Sequence, residues 1–344
     1  MSGVCKQWCP PGWTSCDGTC VDTTSDRLAC GGCGTKCSGR CVASTCVPAF
    51  SELFATATAA GAIATDEPDV YWVDGDSIMR ATAVATPVPV KIAAMQFGAR
   101  ALAVDATHLY WVNRLGAALM RVGKAAGMTP VMVSAATVPT SLALDDLFVY
   151  WLDLDGVHRL TKSGGTAALI VKPSTFPTYY GTAPMTAIAV DAAFLYVGVS
   201  DDLIGGVYRT AKDGSTTPTL LTKGVGLSTE LLAVDEWAFA WNYALPTLPQ
   251  PSFGLWPKSG SNGYGAAAPN IPKPFTLRTP SAFFFAQTND YSASTLGLHS
   301  VSECGGKART LRPFTSTEKQ ANCVAADSSY VYWSDGSSIR RAPY

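Results

Sequence analysis

Residues Leu102 to Arg121 read L-A-V-D-A-T-H-L-Y-W-V-N-R-L-G-A-A-L-M-R, and a recognisable copy of this stretch returns about every forty to forty-eight residues up to the C-terminus. In each copy an aspartate closes a short apolar run, an aromatic residue follows six positions later, and a hydrophobic-x-basic segment precedes a glycine turn. Short runs rich in β-branched and aromatic residues, separated by turn formers, predict antiparallel strands with tight connections. The spacing pairs Asp66 with Trp72, Asp105 with Trp111, Asp145 with Trp151, Asp235 with Trp241, and Asp327 with Trp333. A further copy keeps Asp191 but carries Val197 at the aromatic place, and another, around Thr279 and Phe285, keeps only the apolar pattern. Seven repeats result.

Self-similarity at this period with several short strands per unit predicts a β-propeller, one blade per repeat. Strand A ends at the aspartate, strand B carries the Tyr-Trp pair, strand C holds segments such as Ser77–Arg80 and Gly156–Arg159, and strand D follows the glycines. The last repeat stops at Tyr344, after its third strand. The segment Ser51–Thr56 is therefore expected to supply the missing outer strand, which removes an exposed sheet edge. The fold expected is all-β: a seven-bladed β-propeller over residues 49–344, closed by an N-terminal strand and preceded by a small disulfide-rich module over residues 1–48.

Composition suits this. The hydrophobic content is 47% and the charged content only 15%, as expected for many short strands packed face to face. A net charge of −1 gives no electrostatic basis for nucleic acid as a partner, and no apolar run reaches the length of a membrane helix. The start, Met-Ser-Gly-Val-Cys, lacks the basic and apolar regions of a secretory signal, so it is either a mature or recombinant boundary or the protein is not exported by that route.

Nine of the eleven cysteines fall in the first 46 residues. So short a segment, poor in large aliphatic residues, needs covalent or metal staples. Zinc held by thiolates and disulfides are the two options. The segment has no histidine and its spacings do not form paired knuckles, which favours disulfides. The eight cysteines Cys9, Cys16, Cys20, Cys30, Cys33, Cys37, Cys41 and Cys46 are assigned to bridges within the leader. Of the remaining three, Cys304 is expected in a C–D turn and Cys323 at the start of a strand A, too far apart for one bridge. A Cys5–Cys304 bridge is expected instead, with Cys323 behaving as a small apolar residue.

The run from Cys9 to Cys37, C-x6-C-x3-C-V-D-T-T-S-D-R-L-A-C-G-G-C-G-x2-C, resembles the cysteine-rich leader of secreted myxobacterial proteins, where it often precedes a propeller. The repeat A-V-D-x-x-x-L-Y-W is similar to the YWTD repeats of lipoprotein-receptor ectodomains, and the overall pattern is also NHL-like. These resemblances span nearly the whole chain and imply the architecture and an oxidising destination, namely secreted, periplasmic or cell-surface. They imply no activity.

The repeated aspartates suit turn capping better than a metal ring, and the Tyr and Trp residues suit packing between blades. The recurring Arg80, Arg121, Arg159, Arg209 and Arg341 are expected to pair with carboxylates or cover apolar surface. His108, His158 and His299 should lie far apart, and no G-x-S-x-G, H-E-x-x-H or P-loop pattern occurs. No catalytic residue, metal or cofactor is assigned.

Irregularity is clustered. The step from the B-strand aromatic to the C-strand basic position is eight residues in the first, third and seventh repeats and ten in the second. It lengthens to twelve from Val197 to Arg209, sixteen from Trp241 to Pro257, and fifteen from Phe285 to Ser300. The connection from Lys172 to Met185 is also long and carries Phe176, Tyr179 and Tyr180. B–C and D–A connections share one propeller face, so a ligand site is expected there from Tyr179, Tyr180, Asp201, Asp202, Tyr243, Asn289, Asp290 and Tyr291. Tyrosines beside amides and carboxylates fit a glycan or a protein loop. The alternatives are a lyase or hydrolase using Asp201, Asp202, Glu230 or Asp290 at the channel mouth, and a structural protein of an envelope or extracellular layer.

Overall fold

In the N-terminal region the computed structural model describes residue 9 and residues 12–16, 19–24, 26, 29–36 and 40–47. Beyond it the model describes residues 52–125, 127–176, 184–201, 204–223, 323–327 and 329–343, and the backbone of eight strands between 232 and 313. The chain forms two compact units, Met1–Glu52 with Arg341–Tyr344, and Leu53–Arg340.

Each repeat folds as one antiparallel sheet with strands A, B, C and D in chain order. In the first sheet these are Ala60–Asp66, Asp69–Asp74, Ser77–Thr82 and Val90–Ala93. The second has Ala99–Val104, His108–Asn113, Ala118–Gly123 and Val131–Ala135, and the third Ser141–Leu144, Phe148–Asp153, Gly156–Thr161 and Ala168–Val171. The fourth runs Met185–Val190, Phe194–Val199, Gly206–Ala211 and Thr219–Lys223. The fifth and sixth follow over Leu232–Pro269 and Phe275–Pro313. The seventh takes Cys323–Ala326, Tyr330–Ser334 and Ser338–Pro343 from the C-terminal end and Glu52–Thr56 as its outer strand. The expected closing strand is therefore present. Strand A of each sheet lies against strand A of the next, and that of the seventh lies against that of the first, so the sheets close a ring.

The Tyr-Trp pair explains why the sheets stack. Neighbouring side chains on a strand point to opposite faces, so Tyr110 and Trp111 bury both faces of the second sheet. Trp111 packs with Tyr71, Val73 and Ile78 of the first sheet. Tyr110 packs with Val149, Trp151 and Leu160 of the third. Trp72, Trp111, Trp151 and Trp333 are all fully buried. At the third interface Val197 replaces the tryptophan, and Phe176 and Tyr208 join the cluster, their rings 4.9 Å apart. Phe54 closes the ring in the same way, edge-on to Trp72 and to Tyr332 at 6.1 and 5.3 Å.

Four of the repeated aspartates cap their A–B turns, as expected, while Asp66 does not and Asp235 lies outside the described residues. Oδ1 of Asp145 accepts from the amides of Leu147 and Phe148, and Asp105, Asp191 and Asp327 do the same in their own turns. The arginines divide between several tasks. Arg80 pairs with Asp69 at 2.7 Å and Arg341 with Glu52 at 2.9 Å, while Arg159 and Arg209 lie over the rings of Phe148 and Phe194. Their further task, joining consecutive sheets, was not expected: Arg80, Arg121 and Arg159 donate to the carbonyls of Lys124, Lys162 and Lys212 in the following sheet. Each of those lysines returns its ammonium to the preceding sheet's aspartate: Lys124 to Asp66, Lys162 to Asp105 and Lys212 to Asp145.

The N-terminal unit holds two hairpins, Thr14–Cys16 with Thr19–Val21 and Arg40–Val42 with Thr45–Val47. Disulfides join Cys9 to Cys20, Cys16 to Cys33 and Cys30 to Cys41, with Cα separations of 5.4, 5.3 and 5.4 Å. Cys46 is also disulfide-bonded, to a residue outside those described. Cys30 and Cys41 are themselves the buried centre. Gly31 is required beside them: its φ is +77°, and a Cβ there would lie 2.7 Å from the Ser44 carbonyl oxygen. Cys5, Cys37 and Cys304 lie outside the described residues. Cys323 is half-buried against the cluster around Phe54.

Candidate functional site

Backbone bonds show which connections share a face. In the first four sheets the D–A connection is tied to the B–C turn of the sheet it enters: Gly75 to Ala59, Arg114 to Gly98, Leu154 to Thr137, and Ser200 to Pro184, at 2.9–3.0 Å. The B–C turns of the first and third sheets are two residues long, Gly75–Asp76 and Leu154–Asp155. Those of the fourth, fifth and sixth sheets span residues 200–205, 245–250 and 288–296, and the connection entering the fourth sheet spans residues 172–184. The long connections therefore open on one end of three successive sheets.

Asp201 lies in the fourth B–C connection, half-buried. Its Oδ1 accepts from the Ile204 amide at 2.9 Å, and its carbonyl accepts from Gly205. The Ile204 carbonyl in turn accepts from the Tyr208 hydroxyl at 2.7 Å. Burial, and then the Asp201 charge, raise the pKa of Tyr208. Phe176, after the short 3-10 turn Pro173–Thr175, is buried against Tyr208 and anchors its connection from below. Tyr243 belongs to strand B, Ala238–Ala244, opposite Ser252, and not to the connection after it. Trp241 faces Gly254, so the residue corresponding to the basic position is Leu255; Pro257 faces Ala238. That count failed because strand C of the fifth sheet, Pro251–Pro257, carries no basic residue. Tyr179, Tyr180, Asp202, Glu230, Asn289, Asp290 and Tyr291 lie outside the described residues.

On the third sheet Asp153, Asp155 and His158 offer ligand atoms within 4.8 Å of one another. Their bonds describe a locked turn. Asp153 Oδ1 accepts from Asp155 N, Gly156 N and His158 Nε2 at 2.9, 3.2 and 3.0 Å, and Oδ2 accepts from Thr137 N. Burial opposes the charge of Asp153, but the His158 bond and the turn amides outweigh it and hold the carboxyl below its usual range. The seventh sheet repeats the device with Asp335 and Arg340. An arginine in the histidine's place meets the equivalent aspartate, so in both sheets this position supplies a nitrogen that locks the turn carboxylate. His158 also stacks on Trp151, with ring centroids 5.0 Å apart.

At the opposite end of the strands, a cleft of about 490 Å³ is lined by Asp105, Thr107, His108, Tyr110 and Lys162. Lys162 bonds Asp105 at 2.8 Å, and Thr107 Oγ1 lies 2.8 Å from His108 Nδ1. Burial works against ionised Asp105, yet the lysine and two amides hold its carboxyl well below the usual range. Such a carboxylate makes a poor general acid. Lys124, Lys162 and Lys212 are the residues that sequence reasoning missed. The signal was present as Arg-x-x-Lys at Arg121, Arg159 and Arg209.

No protein-family model matches the chain, and no curated protein matches it in sequence. Solved structures do. A catalytically inactive virginiamycin B lyase from Staphylococcus aureus with quinupristin superposes with a TM-score of 0.62 at 10% identity, covering 86% of this chain and 100% of that one. The WD40 β-propeller domain of Doa1 gives 0.62 at 11% identity, covering 86% and 96%. The extracellular domain of the BT4673 one component system of B. thetaiotaomicron gives 0.61 at 12% identity, covering 86% of this chain and 40% of that one. At these identities the likeness carries the fold and not the activities: the larger unit of this chain is a β-propeller, following a disulfide-bonded module.

Proposed function

We propose that this chain is a secreted or cell-surface recognition protein whose propeller presents a ligand face built on the B–C and D–A connections of the fourth to sixth sheets. The observation that supports this reading is that the B–C connections of the fourth to sixth sheets run six to nine residues, beside two to four in the other sheets, with a connection of thirteen residues entering the fourth sheet at the same end. A scaffold needs only its repeats, whereas specificity needs irregular loops on a rigid frame. Tyr179, Tyr180, Asp201, Asp202, Asn289, Asp290 and Tyr291, with Tyr243 at a strand end, supply flat apolar faces and hydrogen-bonding groups. That chemistry suits a glycan or a protein loop. Three disulfides within the N-terminal unit fit an oxidising compartment, and among the described residues no helix is long and apolar enough to cross a membrane.

The test is glycan-array and surface-display screening of the full chain, followed by replacement of Tyr179, Tyr180 and Tyr291 with alanine. Binding should fall at least tenfold, with the melting temperature unchanged. Binding that survives all three replacements, or that maps to the A–B turns, would overturn the proposal.

A further inference from the structure

At the end of the strands that carries the B–C and D–A connections, the first two sheets present apolar side chains to solvent. Met95 and Phe97, in the connection entering the second sheet, are 74% and 50% exposed, and Leu115, in the B–C turn of that sheet, is 79% exposed. Backbone bonds hold the three side by side. The Gln96 amide donates to the Asp76 carbonyl at 2.9 Å and the Gly116 amide to the Phe97 carbonyl at 3.3 Å, so residues 94–98 are clamped between the B–C turns of the first and second sheets. Leu115 lies over Gly98, where a Cβ would come within 2.9 Å of its Cγ. Met95 has a φ of +57°, which is unfavourable for a side chain of its kind, and this strained residue holds its side chain out in solvent.

Charges of opposite sign flank these residues. Asp76 is exposed on the B–C turn of the first sheet, and Arg114 is exposed on that of the second. Neither charged group is paired with another side chain among the described residues. Residues 94–98 lie between the two turns. A two-fold axis over that connection therefore brings Asp76 of each copy opposite Arg114 of the other, and packs Met95, Phe97 and Leu115 against the same apolar centre of the second copy.

We infer that these turns form the self-complementary interface of a homodimer, in which two copies meet at the ends of their first and second sheets. An isologous contact needs each charge to face its opposite across the axis, and here one charge of each sign stands on either side of an apolar centre, the arrangement of a protein interface with a polar rim. An anionic lipid surface fits less well, because it would repel Asp76. The inference uses turns of the first two sheets and stands whether or not the longer loops of the fourth to sixth sheets bind a ligand.

Sedimentation velocity of the full chain at low ionic strength, over about 1–500 μM, tests this. A reversible dimer with a micromolar dissociation constant is expected, since a contact built on a few turns belongs with transient interfaces of less than about 1,200 Å². Asp76→Arg and Arg114→Asp should each weaken self-association about tenfold or more, because like charges then face one another. Both positions are exposed in turns, and thermal melts of the two variants confirm that folding is kept. Mixing the two variants should restore the dimer, because every charge at the contact then meets its opposite. A chain that stays monomeric up to the highest concentration overturns the inference, and flotation of that monomer with phosphatidylglycerol vesicles through Phe97 and Leu115 would identify a lipid surface as the occupant instead. A dimer that neither substitution weakens, or a mixture that associates no better than each variant alone, also overturns it.

Discussion

Removing the hydroxyl of Tyr150 and that of Tyr71 should have opposite consequences, although both side chains are fully buried at the same place in their repeats. Tyr150 donates to the Asp145 carboxylate at 2.9 Å, and a bond to a charged group contributes about 1.5–3 kcal/mol. Asp145 keeps Lys212 and two amides after the change, so the loss should fall near the lower end, about 1.5–2 kcal/mol. For a unit of this size that lowers the melting temperature by about 3–8 °C. Tyr71→Phe breaks no bond: Pro68, standing where Leu147 does, has no N–H to donate to Asp66, and the Tyr71 hydroxyl is left without a hydrogen-bond partner. It removes a buried, unpartnered hydroxyl whose desolvation costs about 1–3 kcal/mol, so the melting temperature should hold or rise. Burial, and then the Asp69 charge, push the Tyr71 pKa up to about 12, so both phenols stay protonated at neutral pH. Calorimetric melts of the two single variants beside the parent chain at pH 7 provide the comparison. If Tyr71→Phe loses as much stability as Tyr150→Phe, then the Tyr71 hydroxyl is bonded in solution and the argument from Pro68 fails.

Three other outcomes are expected. In a double-mutant cycle, Lys162→Met and Asp105→Asn should couple by about 1 kcal/mol, and additive melting-point losses would refute the latch between sheets. Asp105, Asp145, Asp153 and Asp335 have folded pKa values below the unfolded carboxylate value; their contribution is therefore complete above about pH 4–5 and lost as pH falls through the folded values. A melting temperature that rises between pH 5 and pH 3 would contradict this. Gly156→Ala should cost more than about 2 kcal/mol, because beyond the strain of its φ of +141° a Cβ would meet the Val171 carbonyl oxygen at 2.1 Å, whereas Gly164→Ala bears the strain of a φ of +106° but meets nothing within 4 Å; urea titrations should show the Gly156 variant the less stable of the two.

The ring and its closing strand were legible because Asp-to-Trp spacing is set by strand length and turn geometry, which every copy must share to stack. Asp66 keeps that spacing yet does not cap its turn, since a missing N–H at Pro68 changes bonding without changing length. The lysine latch was hidden for another reason: Lys162 and Asp105 are partners across two repeats, and a pattern read within one repeat does not show them as a pair. In the fifth repeat the basic marker on strand C was gone, so the register slipped and Tyr243 was assigned to a loop. Disulfide bonding in the leader followed from composition, but the interleaved pairs Cys9–Cys20 and Cys16–Cys33 could not, because spacing does not report which hairpin lies beside which. Of the candidate ligand residues only Asp201 and the backbone of Tyr243 lie among those described, so the sequence names the others without their positions.

The outer strand of the seventh sheet begins at Glu52, and its partner begins at Ser338. At about 5–20 residues per second of synthesis, Phe54 waits on the order of fifteen seconds to a minute before Tyr332 and its sheet exist. During that interval the ring is an open arc with a hydrophobic edge at each end, and it cannot lock however well the earlier repeats have folded. The join that makes the finished molecule resistant to opening thus makes its birth slow, and gives a cell a defined window in which to hold, export or discard the chain.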